Sequence, residues 1–208
     1  MNMRPADIIT SAVKDTLKPY LLEKGFEADG TTKFRRSVGE TVQTVEIQRS
    51  RVGGAQGFVY LNGIIHLPAI SELLAGVDSR PRPTNLMFRP HNVDRSLPEA
   101  ITITQESDPA DIGALGVRGI DAVLGRMNEF TTTADAVDYL SGKKLSLFEG
   151  VFAWYLQHDQ LDRAQAFVTG LHEYFGAQPR WEKLAGMLDA VAAHISPETP
   201  WRTWLATP

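Results

Sequence analysis

Apolar positions near the N-terminus recur with helical spacing and then switch to alternation. Ile8, Ile9, Ala12, Val13, Thr16, Leu17, Tyr20 and Leu21 keep one stripe of a helix apolar. Pro5 suits its first turn, and Asp7 complements the positive end of its dipole. Pro19 lacks an amide donor and predicts a kink or a restarted last turn. Gly25 predicts a left-handed stop just beyond Lys24.

The pattern then predicts strands. Phe26 to Ala28 is short, and Asp29-Gly30 is a tight-turn signal. Thr32 to Val38 and Thr41 to Arg51 follow, parted by Gly39-Glu40. Alternation puts Val45 and Ile47 on one face of the longer strand and Glu46, Gln48 and Ser50 on the other. Gly53 to Gly57 reads as a hairpin loop. Phe58 to His66 returns with apolar residues on both faces, the pattern of a central strand covered on both sides. Pro68 to Gly76 predicts a short helix. Val77 to Pro98 predicts a proline-rich loop with one edge strand at Asn85 to Phe88. Ile101 and Ile103 among threonines predict a last strand over Ala100 to Gln105.

From Asp108-Pro109 the period becomes helical and stays so. Leu115, Ile120, Val123, Leu124 and Met127 form one buried stripe. Gly113, Gly116 and Gly119 either allow a close backbone approach or delay the helix start. Further helices are predicted over Thr132 to Leu140, Ser146 to His158, Leu161 to Phe175 and Pro179 to Ile195. The bend at His158-Asp159-Gln160 resembles that of a tetratricopeptide hairpin, with Ala164 as the small residue at the crossing. Only one copy is present, so a local helical hairpin is the reading. Trp154, Trp181, Trp201 and Trp204 all fall here and read as core, with Trp201 and Trp204 latching the C-terminus.

These elements predict an α+β fold. An N-terminal helix packs on a curved antiparallel sheet of about four to six strands, and an all-helical C-terminal layer follows. The predicted division is a sheet domain over 1–106 and a helical region over 107–208, packed on the first as one compact unit. At 208 residues the chain buries enough surface for a purely hydrophobic core. Having no cysteine excludes disulfides, thiolate nucleophiles and cysteine metal sites. The N-terminus lacks the apolar run of a secretory signal, and no apolar segment approaches ~18 residues. The expectation is a cytoplasmic protein with no membrane partner.

Charge is uneven. Residues 1–104 carry 13 Lys+Arg against 11 Asp+Glu, and residues 105–208 carry 8 against 14. Neither half has the strong basic excess of a nucleic-acid binder, so no nucleic-acid partner is expected.

Catalytic signatures are missing: no G-x-S-x-G elbow, no H-E-x-x-H and no dinucleotide-binding glycine run. Gly142-Lys143-Lys144 lacks the upstream glycine and the Ser/Thr of a phosphate loop. Ser11-Ala12-Val13-Lys14 has the Ser-x-x-Lys spacing without its partner motifs. None of the five histidines has another at i+3 or i+4, and His158 beside Asp159 reads as a solvated turn. No catalytic residue, metal ligand or cofactor is therefore assigned. One constellation stands out. Asn62 and His66 share a face of one predicted strand, and Gln48 or Glu46 faces them across the hairpin. Such a cluster orients a ligand or supplies acid–base groups, unless Gln48 and Asn62 only satisfy strand ends and loops. Arg35, Arg36, Arg49 and Arg51 lie on adjacent strands, either covering apolar surface with their stems or gathering for a phosphate or acidic partner. The candidate ligand set is Gln48, Asn62, His66, Arg35 and Arg49.

Gly25-Phe26, Phe34-Arg35-Arg36, Gln48-Arg49-Ser50 and Asn62-Gly63-Ile64 together resemble the bacterial family known as domain of unknown function 4304, over residues 5–105. Asn85-Leu86-Met87-Phe88-Arg89 takes the place of a family strand that often carries a cysteine. The resemblance implies an α+β domain in a bacterial cytosol and brings no catalytic residues with it. With the missing motifs, it favours a non-enzymatic binding protein, of immunity or regulatory type, whose partner is another bacterial protein. The alternative is a small-ligand binder or enzyme using Gln48, Asn62 and His66.

Overall fold

The computed structural model describes residues 3–52, 56–79 and 82–206. Gly53-Gly54-Ala55 of the predicted hairpin loop, Arg80-Pro81 of the proline-rich loop and the side chain of Arg51 lie outside the described residues.

The first helix runs as α1 (Pro5–Ala12), a π-helical turn (Val13–Leu17) and α2 (Lys18–Glu23). Pro19 sits in the first turn of α2, where its missing amide is tolerated, and the wide turn precedes it. Gly25 ends the helix at φ 81°. Its amide donates to the Leu22 carbonyl at 3.0 Å, and the Phe26 amide donates to Leu21 at 3.0 Å. That pair of bonds closes a helix on a left-handed residue, with Phe26 and Leu21 both buried beneath it.

Six antiparallel strands follow: β1 (Glu27–Ala28), β2 (Lys33–Val38), β3 (Thr41–Val52), β4 (Gln56–His66), β5 (Asn85–Phe88) and β6 (Ile101–Ile103). The order is β1-β2-β3-β4-β5, with β6 also pairing β4. β4 is therefore central. It pairs with β3 along its length on one edge, and with β6 and β5 in turn on the other. The remaining helices are α3 (Pro68–Leu74), α4 (Pro90–Val93), α5 (Pro109–Met127), α6 (Thr133–Ser141), α7 (Phe148–Gln157), α8 (Leu161–Phe175) and α9 (Trp181–Ile195). A 3-10 segment covers Trp201–Ala206. The single turn of α4 falls inside the stretch predicted as loop.

The chain forms two compact units, Met1–His66 with Asn85–Thr131 and Leu67–Thr84 with Thr132–Pro208. This partition differs from a boundary after residue 106. The apolar stripe of α5 announces burial without saying against what, and α5 packs on the first helix and on β4. α3, although it precedes the last two strands, packs on α7.

In the first unit, Ile8, Leu17, Phe34, Val45, Ile47 and Ile103 are buried in one apolar core with Ile120 and Leu124 of α5. Glycines set the spacing. A Cβ at Gly63 of β4 would stand 2.5 Å from Met127 Sδ and 2.9 Å from Val123 Cβ. One at Gly116 or Gly119 would stand 2.7 Å from Leu17 or Leu61 respectively. The α5 glycines thus serve a close approach rather than a delayed start.

Polar bonds fasten one end of this layer. Arg36 shares the core-facing side of β2 with Phe34, and its Nη1 donates to the Lys24 carbonyl at 2.7 Å. Nε and Nη2 donate to Gln43 Oε1 at 2.9 and 2.7 Å, and Nη2 also donates to Asn128 Oδ1 at 2.6 Å. Gln43, itself fully buried, donates through Nε2 to the Met127 carbonyl at 3.0 Å. One guanidinium and one amide thereby occupy carbonyls at the C-terminal ends of α2 and α5, where positive charge is favoured. Burial lowers the Arg36 pKa.

In the second unit α7 packs against α3, α6, α8 and α9. Thr132 and Asp135 form a reciprocal cap on α6. Asp159, at φ 53°, turns the chain from α7 into α8, and Ala164 is fully buried there. Trp201 is buried, with its ring edge-on to Phe152 at 6.0 Å, while Trp204 is half-buried.

The glycine seat gives a paired prediction. Gly63→Ala overpacks the contact with Met127 and Val123 and lowers stability by about 1–3 kcal/mol. Gly125→Ala, on the exposed side of α5 with nothing within 4 Å, raises it by about 0.5–1 kcal/mol. Urea denaturation of the two variants checks both signs.

Candidate functional site

Side chains on a strand alternate, so packing one face of the sheet sends every second residue to the other. Among the described residues, α1 and α5 pack on β4 over Gly57 and Gly63, on the first face, and leave the alternate residues to the second. Its cross-strand rows follow from the register. Lys33, Glu46 and Asn62 form one, and Gln48 with Tyr60 forms the next. Arg35, Thr44, Ile64 and Met87 lie on the other side of the first row, followed by Ser37, Val42, His66 and Asn85. β4 therefore departs from the prediction of a strand covered on both sides: Phe58, Tyr60, Ile64 and His66 are only half-buried. Met87, 58% exposed, stands beside Ile64 at the rim.

Asn62 lies at the centre and is 2% exposed. Its Nδ2 donates to Gln48 Oε1 at 3.3 Å and to Glu46 Oε2 at 3.4 Å, both long bonds. Glu46 also receives Lys33 Nζ at 3.2 Å. Asn62 Oδ1 is buried without a hydrogen-bond partner, as is Thr44 Oγ1 on the neighbouring row. Each such orphan costs about 1–3 kcal/mol, so two on one face require an explanation.

The candidate residues divide. Gln48 and Asn62 touch. His66 lies on the same face, between Val42 and Asn85. Its pKa is lowered by burial and by the charges of Arg35 and Lys33, against a raising hydrogen bond from Asn85. Arg35 is on this face but leans to Asp29, at 3.5 Å. Arg49 is not on it. It shares the parity of Val45 and Ile47, and its Nη1 donates to Thr10 Oγ1 of α1 at 3.4 Å. Arg36, half-buried, is bonded to Lys24, Gln43 and Asn128, while Arg49 lies on the opposite face from Arg35. An open hollow of about 580 Å³ adjoins the face at the β1–β2 edge, where Arg35 and Arg36 stand with Glu27 and Asp29.

Sequence reasoning missed three contributors. Thr44 was hidden by its commonness in strands. Tyr60 and Arg89 form a cation–π pair at 5.3 Å, which only the pairing of β4 with β5 brings together. Among the described residues no group of three or more His, Asp or Glu is placed to hold a metal ion, and no helix is long and apolar enough to cross a membrane. His158 instead stacks on Trp154 at 3.8 Å, with Nδ1 2.9 Å from the Trp154 carbonyl. No family model, curated protein or solved structure matches the chain.

Two predictions come from this face. Thr44→Val removes a buried hydroxyl that has no partner while keeping the branched shape, and thermal or urea unfolding will show stability unchanged or raised by about 1 kcal/mol. The lowered His66 pKa makes the unfolded chain bind the proton more readily than the folded one. Stability from His66 is thus complete above its ordinary value of 6.5 and is lost as the pH falls through the lower folded value. Denaturation midpoints between about pH 8 and pH 5 will fall less in His66→Gln than in the parent.

Proposed function

We propose that this protein is a non-enzymatic binding module that recognises another protein through the second face of its sheet. The observation that carries the reading is Asn62: an amide acceptor without a partner, held by long bonds at the centre of a half-buried apolar and polar surface. Tyr60, Met87 and Arg89 around it are of the types enriched where proteins meet. A partner that presents a hydrogen-bond donor over Asn62 and an apolar group over Ile64 and Met87 relieves the orphan and buries the rim. The exposed Gln48 and the Lys33–Glu46 pair at the surface are the groups it displaces, and an ion pair exposed to this degree is weakly held. The role is of immunity or regulatory type, in a bacterial cytoplasm, and the likeness of residues 5–105 to domain of unknown function 4304 belongs to the same proposal.

A second reading, a small ligand or substrate held by Gln48, Asn62 and His66, draws on their common face. These residues lie on a sheet surface rather than in a closed pocket, and this favours the protein partner.

Affinity capture from the source cells with three baits separates the readings. The parent and Gly125→Ala, altered on α5, are expected to retain the same partner, and Met87→Asp on the sheet rim is expected to lose it. Retention by Met87→Asp contradicts the assigned face. If no protein is captured, and a metabolite raises the melting temperature of the parent but not of Asn62→Ala, the small-ligand reading replaces it. At a concentration of 100 times Kd such a ligand adds about 2.7 kcal/mol.

A further inference from the structure

β2 is a six-residue strand, and its outer neighbour β1 covers only two of those residues. β1 pairs Glu27 with Arg35 and Ala28 with Phe34, and stops there. The main-chain groups of an antiparallel strand point alternately to its two neighbours. The Thr32 carbonyl accepts from the Ile47 amide of β3 at 2.8 Å, and the Lys33 carbonyl accepts from the Asp29 amide on the β1 side at 2.8 Å. Odd-numbered residues of β2 therefore turn their amides and carbonyls to the β1 side. Ser37 is one of them, and it stands opposite Val42 of β3 in a pair that exchanges no main-chain bonds.

Continuing the register of β1 by two residues would set Gly25 opposite Ser37. The chain does not take that path. Gly25, at φ 81°, closes the helix instead: its amide goes to Leu22, and the Phe26 amide goes to Leu21. Among the described residues neither main-chain group of Ser37 has a hydrogen-bond partner, and the residue is exposed. Where a strand would continue lies the open hollow of about 580 Å³. It is lined by Gly25, Glu27 and Ala28 of the departing chain and by Arg36, Ser37 and Val42 of the sheet.

An unpaired amide and carbonyl on one edge residue, with room beside them, match the main chain of another strand. We propose that this hollow receives an extended peptide segment of a partner protein, which adds to β2 in line with β1 and exchanges both main-chain bonds with Ser37. The segment runs antiparallel to β2, as β1 and β3 do. Strand addition of this kind takes affinity from main-chain bonds and specificity from alternate side chains. The segment residue opposite Ser37 directs its side chain to the second face, beside the half-buried Val42. Charge favours a neutral main chain over a free ion. Two arginines stand in the hollow with two carboxylates, and Arg36 is already bonded to the oxygens of Lys24, Gln43 and Asn128. The volume lies within the roughly 300–1,000 Å³ typical of ligand clefts. The proposal stands on the strand edge and does not rest on Asn62 or on the reading of the sheet face.

The test selects short random peptides displayed on phage against the full chain and measures the binders as synthetic peptides. Ser37→Pro removes the outward amide but none of the bonds to β3, and the binders are expected to lose at least about tenfold in affinity with it, the worth of a lost hydrogen bond. Ser37→Ala keeps both main-chain groups and is expected to bind as the parent does. Hydrogen exchange followed by NMR gives a second readout on the parent itself. Without peptide, the Ser37 amide is expected to exchange far faster than those of Arg36 and Val38, which bond to β3; with peptide bound, it becomes protected. If Ser37→Pro does not fold, N-methylation of the peptide one amide at a time replaces it, and binding is expected to be lost at the residue opposite Ser37. A selection that yields no binder, binders indifferent to Ser37→Pro and to N-methylation, or a Ser37 amide that stays unprotected with peptide bound overturns the proposal.

Discussion

The seating of α5 on β4 and on the first helix is the constraint from which the first unit follows. The contact depends on missing side chains. Gly63 leaves room for Met127 and Val123, and Gly116 and Gly119 leave room for Leu17 and Leu61. Such close approach lets one helix share a dry core with both the sheet and the N-terminal helix. It also consumes the face of β2 to β4 that carries Phe34, Val45, Ile47 and Ile65. Because strand side chains alternate, fixing that face fixes what the other displays. Arg36 and Gln43 make the seat directional by fastening the ends of α2 and α5, Arg36 through a charge-assisted bond and Gln43 through a neutral amide one.

The second face carries chemistry that stability alone does not favour. Thr44 and Asn62 are buried with unmatched oxygens, although a valine or leucine serves a sheet better. Groups held at a cost to stability are characteristic of sites kept for another purpose. In the second unit the Arg82 side chain is 5% exposed and pairs with Glu149 at 2.9 Å and with Asp78 at 2.8 Å.

Much of the fold was legible because it depends on local rules. Gly25 stops a helix, Asp108 starts one by accepting from the Ala110 amide, and Asn85–Phe88 is an edge strand among prolines. The parity of Val45 and Ile47 against Glu46 and Gln48 was enough to choose the core face. The rest depends on long-range placement. Arg35 and Arg36 are neighbours in sequence, yet one reaches solvent and the other two helix ends 12 and 92 residues away. Asn62 and Gln48 were placed together by hairpin pairing, but the depth of Asn62 depends on the side chains around it. Parity already assigned Arg49 to the core side, and only α1 shows what it meets there. A hollow in the second unit is lined by Leu74, Arg82, Leu147 and Met187, which no local pattern connects.

Ile64 and Ile65 are consecutive on β4 and carry the same side chain, so they report the two faces under one condition. In a methyl NMR spectrum with a soluble paramagnetic agent added, the account predicts strong broadening of the half-buried Ile64 and little change in Ile65, which is fully buried. Equal broadening of the two, or broadening of Ile65 alone, would contradict the assignment of one face to packing and the other to recognition.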